Sequence, residues 1–229
     1  MLIFCRLKSE WRLKLILLVV LNLTVYAPYL VLQHYNLFRA TVMPMTFFDR
    51  LIPFSPQTVW IYLSIYLLMP IGPFMMTRRD QIVRYAIGII SIGLIADFVF
   101  LFWPTTCPRP NTSGTNALYQ SLVSVDNRFH AFPSLHAAFA IYSAGCGGMV
   151  IRELSKSRML QASLWFWAFL ILLATLTTKQ HVMADIIAGS ALGFGVYSLV
   201  FKKWKFTSNA KRALPLASPE FTQSNSSTP

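Results

Sequence analysis

The chain has 229 residues, 55% of them hydrophobic, and a formal net charge of +12. Its mean hydropathy of +0.52 is too apolar for a soluble domain and points to a polytopic membrane protein. The charge does not read as a nucleic-acid surface: Lys and Arg fall in short clusters between apolar runs, with no basic amphipathic face and no nucleic-acid motif.

A membrane span needs about 20 largely apolar residues. Six stretches qualify: 13–33, 57–76, 81–103, 132–151, 159–178 and 181–201. They predict one all-α membrane domain over residues 1–212. The first stretch is long for a signal-peptide core and no A-x-A-like site follows it, so it reads as a span. With the N-terminus inside, the inner side receives Arg6, Lys8, Arg12, Lys14, Arg78, Arg79, Arg84, Arg152, Lys156, Arg158, Lys202, Lys203, Lys205, Lys211 and Arg212. The outer side receives Arg39, Arg50, Arg109, Arg128 and Lys179. This bias predicts cytoplasmic termini. It fits a bacterial inner membrane with a periplasmic site, and also an organelle membrane with a luminal one.

Between the first two spans, residues 35–56 carry Phe47, Phe48, Leu51 and Ile52 beside Asp49 and Arg50. Two readings fit, an interfacial amphipathic helix or an ordinary outer loop. Residues 104–131 form the longest outer connection, with breakers at Pro104, Pro108, Pro110 and Gly114. The tail, 213–229, is rich in Ser, Thr, Pro and Asn and reads as disordered. No cysteine pair is expected to meet, so no disulfide is expected. Gly189 and Gly193 have the small-xxx-small spacing that lets helices approach closely. Either generic packing or contact between the fourth and sixth spans explains them, and contact would join His136 to His181.

The chemistry gathers at the outer ends of those two spans. Pro133-Ser134-Leu135-His136 reads as a helix start. Free N–H groups and the positive end of the helix dipole hold anions there. The Ser134 hydroxyl adds a donor, and His136 lies within the first turn. His181 and Asp185 are four apart, on one expected helix face. The carboxylate is placed to accept a hydrogen bond from Nδ1–H and leave Nε2 as nucleophile or base. Arg109, between Pro108 and Pro110, is suited to bidentate phosphate binding. Lys179 stands at the water boundary. Arg128 and His130 precede the Ser134 motif and are further substrate-contact candidates, a solvated loop being the competing reading of each. Asp97, near the outer end of the third span, reads as structural or Arg-orienting.

These residues resemble the type 2 phosphatidic-acid phosphatase superfamily over residues 103–195. Pro133-Ser134-Leu135-His136 matches the second family motif. His181, Asp185, Ala188 and Gly189 match the third, and Arg109-Pro110 the end of the first. The resemblance implies a six-helix core and a lipid phosphate as substrate, with no metal or cofactor. His181 is then the nucleophile that forms a phosphohistidine and Asp185 its orienting partner. His136 protonates the leaving oxygen, and Arg109 and Ser134 hold the phosphoryl oxygens. Two positions depart from the pattern. Phe102 stands where the first motif has Lys, and Thr175 where the third has Arg, with Lys179 a candidate replacement. The run Thr177-Thr178-Lys179-Gln180-His181 is similar to the inositol-phosphorylceramide-synthase-like branch, which transfers phospho-headgroups between lipids. Hydrolysis and transfer both stay open, as do an inactive lipid-binding relative and a metal-binding membrane protein using His136, His181 and Asp185.

Overall fold

The computed structural model describes residues 2–35, 37–110, 114–126, 129–155 and 157–201. Arg128 and the 213–229 tail lie outside the described residues. α1 (Leu2–Lys8) precedes α2 (Trp11–Leu21), which passes through a π-helical turn at Asn22–Tyr26 into α3 (Ala27–His34). Pro28 explains the turn. It has no N–H for the carbonyl four residues back, so the helix widens and the Ala27 N–H reaches the Asn22 carbonyl instead.

The 35–56 segment is mostly irregular. β1 (Thr41–Val42) pairs in parallel with β2 (Thr105–Thr106), and α4 (Phe47–Leu51) is a single turn closed by a Thr46/Asp49 capping box. Phe47, Phe48 and Leu51 point outward and are exposed. The extended amphipathic helix is therefore reduced to one turn.

α5 (Val59–Leu63) and α6 (Ile65–Met75) form the second span, and α7 (Arg79–Phe102) the third. α8 (Ala117–Val125) lies in the connection between α7 and the next long helix, N-capped by Asn116. α9 (Leu135–Leu154), α10 (Arg158–Thr177) and α11 (Met183–Phe201) complete the bundle.

Among the described residues, five helices are long and apolar enough to cross a membrane: Trp11–His34, Pro56–Met75, Arg79–Phe102, Arg158–Thr177 and Met183–Phe201. The expected fourth span corresponds to α9, which is as long as α10, 20 residues each, but is not in that set. The reason is its position. α9 is the hub, packed by α6, α7, α10 and α11, and its face is Ala, Gly, Ser and Tyr buried against protein. A helix screened from lipid needs small residues for close packing more than it needs apolarity.

α11 crosses α9 where the glycines allow it. A Cβ built at Gly189 would collide with the Ser134 carbonyl oxygen, and one at Gly193 with that of Ala138. This crossing sets the two motif-bearing helix starts side by side.

Candidate active site

His181 and Val182 precede α11 rather than belonging to it, which corrects the expectation that His181 and Asp185 share one helix face. The imidazole still meets the carboxylate, with Nδ1 3.5 Å from Asp185 Oδ2. The closer partner is the Ala131 carbonyl, 2.9 Å from Nδ1. A carbonyl only accepts, so Nδ1 carries the proton and Nε2 keeps its lone pair. The backbone of the preceding loop thus holds the tautomer more directly than Asp185 does.

Asp185 is fully buried. Its Oδ2 accepts the Val182 N–H at 3.0 Å and the Cys107 thiol at 3.2 Å. Burial pushes the Cys107 thiol up, and Asp185 adds to the shift, so Cys107 is a neutral donor. Asp49 caps the start of α11: its Oδ1 accepts the Met183 N–H at 2.7 Å.

His136 lies in the first turn of α9, its ring centroid 6.4 Å from that of His181. It stacks on Tyr62 at 4.0 Å, and its Nδ1 lies 3.2 Å from the Tyr62 oxygen. Tyr62 in turn donates to Asp126 Oδ2 at 3.2 Å. The phenol has one proton. Once it is given to a carboxylate, Tyr62 can only accept from His136, so Nδ1 of His136 is the protonated nitrogen. Nε2 is buried and has no hydrogen-bond partner among the described residues.

Asp126 and Tyr62 were not among the sequence candidates. Asp126 also accepts Tyr29 at 2.9 Å and Gln33 at 3.1 Å on Oδ1. A carboxylate four residues before a candidate His loop was the available signal.

Ser134 is the N-cap of α9, its oxygen accepting the Ala137 N–H at 3.3 Å. That bond does not use its own hydroxyl proton. Arg109 is half-buried and donates to the Asp126 carbonyl at 2.8 Å, which sets it beside the Tyr62–His136 pair. Its charge opposes the upward push on Cys107 and Tyr119.

Lys179 is turned away. Its Nζ donates to the carbonyls of Asp49 and Ile52, at 2.8 and 2.6 Å. It closes the end of α4, so its ammonium is not aimed at the imidazoles as a replacement cation should be. His130 is buried against Tyr29 and Phe100, and burial lowers its pKa to about 4, with Asp126 opposing. Phe102 is exposed and Thr175 is buried, its hydroxyl on the Leu172 carbonyl. Asp97 is buried on α7, and neither oxygen meets a donor among the described residues, so it orients no described Arg. No group of three His, Cys, Asp or Glu side chains is placed to hold a metal ion among the described residues.

The PAP2 superfamily model matches residues 81–208, more than half of the chain. This protein belongs to the PAP2 superfamily. The match begins in α7 and takes in the Ser134-to-His136 helix start and the His181/Asp185 pair. PAP2 superfamily members are membrane phosphatases and phosphotransferases, and the apolar helices make this one an integral membrane protein of that general function. No curated protein and no solved structure matches the chain.

Proposed function

We propose that this PAP2 superfamily protein is a lipid phosphatase that cleaves a phosphate monoester or diphosphate of a lipid through a phosphohistidine on His181. The observation that carries the reading is the Ala131–His181 hydrogen bond, which leaves the Nε2 lone pair as nucleophile. In the first step Nε2 of His181 attacks phosphorus, and the bond from phosphorus to the lipid oxygen breaks. That oxygen takes the proton from Nε2 of His136, which enters the step as the imidazolium and keeps its Nδ1 proton on Tyr62. Asp185 faces the cationic ring that results. In the second step water attacks the phosphohistidine and its proton returns to His136, releasing phosphate. Arg109, the Ser134 hydroxyl and the N–H groups at the start of α9 hold the phosphoryl oxygens.

The ends of the helices support a non-cytoplasmic site. The starts of α5, α9 and α11 and the ends of α3, α7 and α10 all gather at the site. Arg6, Lys8, Arg78, Arg79, Arg152 and Arg158 lie at the opposite ends. A bacterial inner membrane with a periplasmic site is the reading taken, and an organelle membrane with a luminal site has the same geometry.

Transfer of the phospho-headgroup to a lipid hydroxyl is the second reading. It is favoured by the run Thr177-Thr178-Lys179-Gln180-His181, which resembles the inositol-phosphorylceramide-synthase-like branch. The test is phosphate release from a panel of lipid phosphates in detergent micelles with EDTA, comparing wild type with His181→Ala. Release that disappears in the variant supports hydrolysis. Headgroup transfer to an added lipid alcohol without release supports the second reading, and neither activity from wild type contradicts both.

A further inference from the structure

A cavity of about 420 Å³ runs from the active site toward the opposite membrane face. α2 and α3 pack on α7 while α6 packs on α9, and the cavity is the cleft left between the two pairs. Its walls are apolar through most of its depth, with Leu17, Leu21, Ile65, Met69, Ile89 and Phe139 among the lining side chains. Its outer end is formed by Asp126, Tyr62 and His136, the proton-bearing group of the site itself. Its far end is closed by buried Lys14, whose Nζ donates to the Arg6 and Phe74 carbonyls at 2.8 and 2.9 Å. That ammonium is held by backbone and caps the cleft.

We infer that this cleft holds one hydrocarbon chain of the lipid whose phosphate sits on His136 and His181, and that Lys14 and Phe74 set the chain length it accepts. The inference rests on the phosphatase reading above. Length sets the size. From Tyr62 to Phe74 the helical rise gives about 18 Å, about 14 carbons at roughly 1.3 Å each. The occupant is one chain, straight or isoprenoid, and any second chain of the lipid stays in the bilayer.

The test uses the full chain in mixed micelles at fixed surface mole fraction, with n-alkyl monophosphates of graded length from short to long. Ala86 lines the deep part of the cavity, so Ala86→Phe shortens it. Lys14→Ala opens its floor. For wild type, relative kcat/KM should peak near 14 carbons and fall at least threefold for the longest chains. Ala86→Phe should move the peak to shorter chains, and Lys14→Ala should move it to longer ones. Farnesyl monophosphate compared with the 14-carbon alkyl phosphate distinguishes an isoprenoid from a fatty chain. A flat length profile, or variants that scale all lengths equally, would overturn the inference. Nonhydrolysable alkyl phosphonates, read by thermal stabilisation, report the same length preference independently of turnover. Phosphonate binding with that preference but no hydrolysis would sink the phosphatase reading and keep the cleft.

Discussion

The Ala131 carbonyl accepts a 2.9 Å hydrogen bond from His181 Nδ1, while Asp185 Oδ2 stands farther away at 3.5 Å. The tautomer of His181 is therefore set by the main chain, and in the proposed mechanism Asp185 acts chiefly on the charge that the ring acquires. Replacing Asp185 by Asn should reduce kcat by about 10- to 100-fold. Where a carboxylate alone fixes the tautomer, as in the serine-protease triad, the same change costs roughly 10⁴-fold. Steady-state kinetics on the best substrate separates the two cases, and a loss near the larger figure would assign the tautomer to Asp185.

In the proposed mechanism Tyr62 and Asp126 act through His136 and should matter in proportion to how much protonation the leaving group needs. Tyr62→Phe keeps the stacked ring and removes the link to Asp126. With an alkyl phosphate, kcat should drop by about 10- to 100-fold, within the range of general acid catalysis. With an aryl phosphate of acidic leaving group it should change by less than about threefold. Equal losses on both substrates would make Tyr62 a packing residue only.

His130 is buried and its pKa is lowered to about 4 by that burial. The fold excludes the protonated ring, so its contribution is intact above the unfolded value of about 6.5 and is lost as pH falls toward 4. At pH 5 the loss is about 2 kcal/mol. Unfolding in detergent at pH 7 and pH 5 should show this drop for wild type. His130→Phe should show a smaller one, and parallel curves for the two proteins would contradict the assignment.

The crossing of α9 and α11 predicts a contrast between glycines on one helix. Gly189→Ala would drive a methyl into the Ser134 carbonyl, whereas Gly195→Ala meets nothing within 4 Å. The first should destabilise by about 1–3 kcal/mol, the usual range for overpacking. It should also impair turnover, since it pushes the His181 segment away from Ser134. The second should be neutral in stability and in activity. Unfolding midpoints and phosphate release for the two variants decide the point.

Apolar length alone located the lipid-facing helices, because a span must satisfy both hydrocarbon thickness and backbone hydrogen bonding. It also located α9, which is less apolar than the other five because a helix enclosed by other helices is relieved of the apolar requirement and chosen for small side chains. The His136 and His181 motifs and the Gly189/Gly193 spacing were legible as short-range patterns. Tyr62 and Asp126 were not, because each meets its partner only after folding, Tyr62 being 74 residues from His136 and 64 from Asp126. The Ala131 carbonyl was invisible for another reason: a backbone group leaves no trace in residue identity. Lys179 looked like a phosphate ligand by position, but a positive φ of 53° at that residue turns the chain and two carbonyls of the α4 end claim its ammonium.

The most direct measurement is acid-labile labelling of the chain itself. Wild-type protein turning over a lipid carrying ³²P in its phosphate would be quenched in alkali and digested, and the peptide containing His181 examined by mass spectrometry. The prediction is one alkali-stable, acid-labile phosphoryl group on His181, absent from His181→Ala. Turnover with no such label, or phosphate release that survives His181→Ala, would contradict the phosphohistidine route.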